Sequence, residues 1–142
     1  MDIRQLTPDY AVSPQIAVED LAAVKAAGFA TVIDNRPDAE IPGDLHSPVM
    51  RAAAEALGLR FVANPVIGGA LTQENIDAQA AAMAGSAGPV FAYCASGNRC
   101  SIVWALTQAG ERPADELIGI PARFGYNLEH LRGAIESLSA KG

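Results

Sequence analysis

Short apolar runs alternate with segments whose apolar positions recur at helical spacing along most of the chain. Residues 10–13 read as a short first strand, and residues 17–28 as a helix with a glycine stop. Residues 29–34 follow as a mostly apolar strand, the pattern of burial on both faces of a parallel sheet. Residues 35–44 form a loop by their Pro, Gly and Asp content. A helix from Ser47 to Leu57, with Pro48 in its first turn, stops at Gly58 and leads into a strand over residues 59–63. A second loop covers residues 64–69. Thr72 caps a helix running to Ala84, and residues 85–89 turn into a β-branched and aromatic strand ending at Tyr93. A helix over 99–109 closes at Gly110, and two more span 113–120 and 128–138. No repeat, linker or low-complexity segment interrupts the pattern, so residues 1–142 read as a single α/β domain. Its mainly parallel central sheet is flanked by helices, and sites are expected at the carboxyl ends of its strands.

Composition narrows the function. The chain has 142 residues, enough to bury roughly two-thirds of its unfolded surface without staples. Its net charge of −6 and the lack of any basic run argue against nucleic acid and anionic membrane as partners. No apolar stretch approaches the about 20 residues a membrane span needs, and the N-terminal residues lack a secretory pattern, so cytoplasm is the expected location. Two cysteines six positions apart suit a reducing compartment better than a disulfide framework. His46 and His130 lack metal-type spacing with either cysteine, so neither a metal nor another cofactor is expected.

Chemistry concentrates at the corner between the strand ending at Tyr93 and the helix that follows. There the sequence reads Cys94-Ala95-Ser96-Gly97-Asn98-Arg99. Gly97 permits a turn that lets successive N–H groups point inward and form a concave anion site, and the next helix aims its positive end at the same place. A thiol there ionises more readily than a free one, and the thiolate is the nucleophile. Arg99 adds a planar fork of donors for a bound oxyanion. The candidate catalytic residues are Cys94 and Arg99, with Ala95, Ser96, Gly97 and Asn98 as the anion-binding loop. Cys100, Arg36 and Asp38 are accessory candidates. Arg36 also reads as one half of a surface ion pair, Cys100 as a small residue in the first helical turn, and Trp104 and Tyr126 as packing residues.

Four stretches carry a resemblance to a known family: residues 32–40, 64–66 and 93–99, and Gly125-Tyr126-Asn127-Leu128. Together they resemble the bacterial β-lactamase-hydrolase-like protein, phosphatase-like domain family, also found fused to persulfide-dioxygenase-like modules. The resemblance implies a protein-tyrosine-phosphatase-like fold of dual-specificity-phosphatase size, a nucleophilic Cys94 and an oxyanion-clamping Arg99. Two departures from the dual-specificity phosphatases stand out. Their loop is similar to Cys-x-x-Gly-x-x-Arg, whereas here the arginine comes one position earlier and Cys100 takes its place. The acid that such enzymes carry about thirty residues before the cysteine, to protonate the leaving oxygen, has no counterpart in Asn64 to Ala70. The shorter spacing resembles the loop of single-domain rhodaneses, which carry sulfane sulfur on the cysteine.

The sequence therefore favours a sulfurtransferase working through a Cys94 persulfide, with thiosulfate or a persulfide as the small anionic donor and a persulfide-metabolising enzyme as partner. Phosphate-ester hydrolysis through a Cys94 cysteinyl-phosphate is the alternative, with Asp34, Asp38 or Glu40 as the source of a proton. A non-enzymatic anion-binding or thiol redox-sensing module is the third reading, sustained by Cys100 as a second thiol.

Overall fold

A computed structural model describes residues 1–141. Its sheet has five strands: β1 (Arg4–Thr7), β2 (Tyr10–Ser13), β3 (Thr31–Asp34), β4 (Arg60–Ala63) and β5 (Val90–Tyr93), in the order β1-β2-β5-β3-β4. β1 is antiparallel to β2 and the other pairings are parallel, so β2, β3, β4 and β5 present their carboxyl ends together along one edge of the sheet. Every residue of β2, β3 and β5 is buried, as the apolar composition of these strands demands, while the polar Arg4, Gln5 and Arg60 fall on the edge strands.

Successive side chains of a strand point to opposite faces, and this alternation divides the core in two. Ala11, Val32, Phe91 and Tyr93 face α1 (Leu21–Ala26) and α2 (Ser47–Ala56), where they pack with Leu21, Val24, Met50 and Ala54. Val12, Ile33, Ala92 and Cys94 face the opposite layer, built from α3 (Gln73–Ala84), α4 (Asn98–Thr107), α5 (Ala114–Ala122) and α6 (Arg132–Lys141). α4 buries Cys100, Ser101 and the run Val103–Leu106, lying against β2 and between α3, α5 and α6. Its Trp104 stacks on Tyr10 with ring centroids 6.1 Å apart. The candidate cysteine thus belongs to the larger core, directly beneath the amino end of a central buried helix.

The expected α/β architecture is the one observed, with local differences. β1 is an unexpected strand: four residues of mixed polarity joined to β2 through Pro8 and Asp9 give no periodic signal of their own. The helix expected over 17–28 divides into a 3-10 turn, Val18–Asp20, and the short α1. α5 runs past Pro121 to Ala122, beyond the expected end at Ile120, and the last segment opens as a 3-10 turn, Glu129–Leu131, before α6. α4 begins at Asn98, one residue early, because Gly97 is its N-cap.

A buried polar knot fixes the loops that leave β3 and β4. Gln79 of α3, fully buried, accepts hydrogen bonds at Oε1 from Asn35 Nδ2 and Asn64 Nδ2, both at 2.9 Å. Its own Nε2 donates to the Tyr10 hydroxyl at 3.0 Å. Buried amides are expensive to leave unpaired, so this cluster specifies one arrangement of the strand ends. Gln79→Leu removes one of the two hydrogen bonds donated by each of the Asn35 and Asn64 amides and is expected to destabilise the fold by about 2–4 kcal/mol, measured by urea denaturation; an unchanged midpoint would show that the knot does not hold these loops.

Candidate active site

The parallel ladder continues past β5, with Cys94 N donating to Ser13 O at 3.3 Å, and then breaks where the chain turns into α4. Gly97 adopts φ +95°, a left-handed conformation disfavoured for other residues, and so turns the loop over the thiol. Gly97 N donates to Cys94 Sγ at 3.1 Å, while Ser101 Oγ of the first helical turn accepts nothing from the loop and instead donates to Gly97 O at 2.9 Å. Ser96 and Gly97 present their N–H groups to the sulfur, which sits buried beneath the loop, while Asn98 N donates to Ser96 Oγ at 3.2 Å.

That sulfur is acidic. The Cys94 pKa falls from 9.0 to about 5, first because the Cys100 thiol donates to it, against the opposing effect of burial, and then through the backbone N–H groups of Cys100, Gly97 and Ser96. Cys100 is fully buried and its own thiol is pushed well up by burial and by the neighbouring Cys94. The division of labour is clear: Cys94 holds the charge and Cys100 holds the proton. Cys100 stands where a dual-specificity loop would carry its arginine, so a packing position by sequence is a hydrogen-bond donor in the structure.

Arg99 is turned toward the rim rather than onto the sulfur. Its Nη1 and Nη2 donate to Glu40 Oε2 and Oε1 at 2.9 and 2.8 Å, and Nη1 also reaches Val66 O at 2.9 Å. Both the Arg99 and Arg36 guanidinium groups hold the Glu40 carboxyl below its usual range, Arg99 contributing more. The sequence offers Glu40 as a source of a proton; in the structure it is the carboxylate that holds Arg99. Arg36 is the expected ion-pair half, donating from Nε to Glu40 at 3.2 Å, which ties it to Arg99 through a shared carboxylate. Asp38 caps α2, accepting from Ser47 N at 2.8 Å and Ser47 Oγ at 3.0 Å.

Asp34 is different. It closes β3 beside Tyr93 of β5, is 1% exposed, and accepts Arg36 N at Oδ1 while Oδ2 has no partner. Burial raises its pKa to about 6, against the lowering effect of the Arg36 N–H. The Tyr93 hydroxyl is likewise buried and unpartnered, and burial followed by the Asp34 charge pushes its phenol up. Asp34, Arg36 and Asp38 line a cavity of about 310 Å³ with Pro37, Ala63, Pro65 and Ile67, on the flank of the loop. The larger cavity, about 540 Å³, opens near Tyr10, Val90 and Trp104, at the amino ends of the strands and away from this chemistry.

Sequence reasoning passed over three residues here: Glu40 as the partner of Arg99, and Arg4 and Tyr126, which meet at the Ser96 carbonyl. Arg4 and Tyr126 lie 122 positions apart, and no local pattern connects them. Only the Gly-Tyr-Asn turn, noted for its resemblance, offered a signal.

Two outcomes follow from the two shifted acids. Alkylation of Cys94 by iodoacetamide is expected to titrate with a midpoint near pH 5 while Cys100 stays unmodified in the folded chain, read by peptide mass spectrometry; equal labelling would remove the asymmetry between the thiols. Asp34 has a folded pKa above its unfolded one, so its contribution is favourable below pH 4 and is lost as pH rises toward and through about 6. The shift from 3.8 to about 6 corresponds to about 3 kcal/mol. Asp34→Asn is expected to flatten urea midpoints across that window, and a wild-type slope in the variant would assign it to another group.

The family profile of the β-lactamase hydrolase-like protein, phosphatase-like domain, matches residues 2–111. A β-lactamase hydrolase-like protein of Xylella fastidiosa is 30% identical over 130 residues, covering 90% of this chain and 30% of that protein. The chain therefore spans under a third of the length of that relative. The crystal structure of a candidate phosphatase from Neisseria meningitidis superposes with a TM-score of 0.83 at 29% identity, covering 97% of this chain and 99% of that one. Tk-PTP in its active form shares the fold at a TM-score of 0.73 and 18% identity, covering 99% and 97%. No helix among the described residues is long and apolar enough to cross a membrane. With the α/β sheet, the strand-to-helix cysteine loop and the profile in agreement, the chain belongs to the β-lactamase hydrolase-like protein, phosphatase-like domain family.

Proposed function

We propose that this chain is a cysteine-dependent hydrolase of phosphate monoesters. The observation that carries the reading is the Cys94 thiol, brought to about pKa 5 at the floor of a loop of converging N–H groups, on a fold shared with Tk-PTP. In this reading Cys94 Sγ attacks phosphorus, the S–P bond forms as the P–O bond breaks, and water then hydrolyses the cysteinyl-phosphate. Loop amides and the free N–H groups of Arg99 take the equatorial oxygens. The leaving oxygen needs a proton. Glu40 is tied to two arginines, and Asp34, whose carboxyl burial raises to about 6, is the acid of the 34–40 segment to which this reading gives that role. With no acid in Asn64 to Ala70, the preferred esters are those with acidic leaving groups, such as aryl phosphates. The acidic net charge of the chain, −6, does not favour nucleic acid as the substrate.

A second reading has a specific observation behind it. Arg99 stands one position nearer Cys94 than in the dual-specificity loop, and the acid-free segment is no handicap when sulfite or a thiolate departs. Sulfane-sulfur transfer through a Cys94 persulfide is therefore the competing chemistry, with a persulfide-metabolising partner attached to that reading alone, while a reducing, cytoplasmic setting is proposed for either reaction. The substrate of either reaction is a small anion, and neither calls for a metal or cofactor.

Acid quenching distinguishes them by mass. Turnover of an aryl phosphate is expected to leave about 80 Da on the Cys94 peptide, while a persulfide formed from thiosulfate adds about 32 Da that reductant removes. Cys94→Ser is expected to reduce hydrolysis at least ~1000-fold with the urea midpoint little changed. Sulfur uptake with no aryl phosphatase activity would replace the first reading by the second.

A further inference from the structure

The Ser96–Gly97 peptide is the hinge of the loop. A trans peptide is planar, so its C=O and N–H point in opposite directions. Its N–H faces Cys94 Sγ at 3.1 Å, and its carbonyl therefore faces outward. Two side chains from the far ends of the chain meet that carbonyl. The Tyr126 hydroxyl donates to Ser96 O at 2.7 Å, and Arg4 Nη1 donates both to the Tyr126 oxygen and, at 3.4 Å, to Ser96 O.

The contact is close on every side. Gly125, at φ +88°, throws the chain back after α5 so that Tyr126 reaches the loop, and Tyr126 N is held by Pro121 O at 3.2 Å. The Arg4 guanidinium lies 5.4 Å from the centroid of the Tyr126 ring and is itself anchored by Asp2 at 2.6 Å. A Cβ on Gly97 would overlap the Tyr126 hydroxyl, so the left-handed glycine and the tyrosine are fitted to each other.

We propose that Tyr126 and Arg4 are positioning residues of the loop: by holding the Ser96 carbonyl outward they aim the Gly97 N–H at Cys94. The inference rests on the proposed role of Cys94 as the nucleophile. It adds residues that act from β1 and from beyond α5, one of them past the stretch matched by the family profile. Neither touches the sulfur. Their effect passes through one rigid peptide unit, since rotation of that peptide would turn a carbonyl oxygen toward the thiolate in place of an N–H.

The titration of Cys94 reads this directly and does not depend on which substrate is turned over. The titratable groups that influence or are influenced by Cys94 are Cys100 and Arg99 on its own loop and α4, Asp34 from β3, Tyr10 from β2 and Tyr126 itself. Tyr126→Phe leaves Cys100, Arg99, Asp34 and Tyr10 in place and removes a neutral hydroxyl, so a change in the Cys94 midpoint reports the peptide and not a lost charge. The expected result is a rise of the alkylation midpoint by about one pH unit, a tenfold drop in thiolate below both midpoints. Turnover, with whichever donor the wild type accepts, is expected to fall mainly in kcat. An unchanged midpoint in folded Tyr126→Phe overturns the proposal, even if activity is lost. Should that variant fail to fold, Arg4→Gln, titrated in about 0.5 M salt to screen its surface charge, carries the same test: a raised midpoint supports the proposal and a wild-type midpoint overturns it. A wild type inactive on both phosphate and sulfur donors would sink the proposed function and leave this titration intact.

Discussion

A charged sulfur in a buried place is the constraint around which this molecule is arranged. Desolvation alone pushes a thiol toward its neutral form, and Cys94 has no exposed surface. Its pKa nonetheless falls to about 5, so hydrogen bonds supply more than burial removes. Each donor depends on a different part of the fold. The Cys100 thiol comes from α4 and is kept protonated by its own burial, and the Gly97 N–H comes from a left-handed turn that the next helix accepts as its N-cap. The parallel strands matter because they deliver Cys94 from the sheet to the amino end of that helix.

The same constraint explains the distribution of charge around the loop. Arg99 sits with Glu40 and Val66 instead of on the thiolate, so its guanidinium is held at the rim with its remaining donors free. An arginine bound tightly to Cys94 would leave little attraction for an incoming anion. Glu40 in turn is divided between Arg99 and Arg36, so one carboxylate charge is shared by two cations at the rim. The result is a thiolate stabilised from below with guanidinium donors held above it, the arrangement on which the proposed phosphatase reading rests.

Much of this was legible in the chain. The strands β2, β3, β4 and β5 announce themselves by apolar, β-branched runs, and the Gly97 position inside the strand-to-helix corner is a backbone requirement that few residues satisfy. Residues whose role is set by local geometry, such as the loop itself and the Thr72 cap of α3, are readable for that reason. The part that was not legible is the part made by tertiary contact. The sequence points to the loop amides and the helix end as the source of the acidity of Cys94, whereas its largest cause is Cys100, and nothing in a first-turn cysteine says that its S–H points back at Cys94. Glu40 and Arg99 lie 59 positions apart and meet only because the 3-10 turn Asp38–Glu40 folds over the loop.

Tyr126 sharpens this point. A tyrosine in a Gly-Tyr-Asn turn has a default explanation in packing, and it is indeed buried in the larger core. The ring satisfies that explanation while the hydroxyl does something else, donating to a carbonyl thirty residues earlier. Amphipathic side chains permit such double use, because the apolar body and the polar tip answer to different neighbours. Periodicity reads only the body. The tip has to be read from the hydrogen-bond requirements of the loop it meets: an outward carbonyl at Ser96 is the unavoidable counterpart of an inward N–H at Gly97, and a partly buried carbonyl needs a donor. Seen from that peptide, the side chain that supplies the donor is a consequence of the direction in which the Gly97 N–H must point.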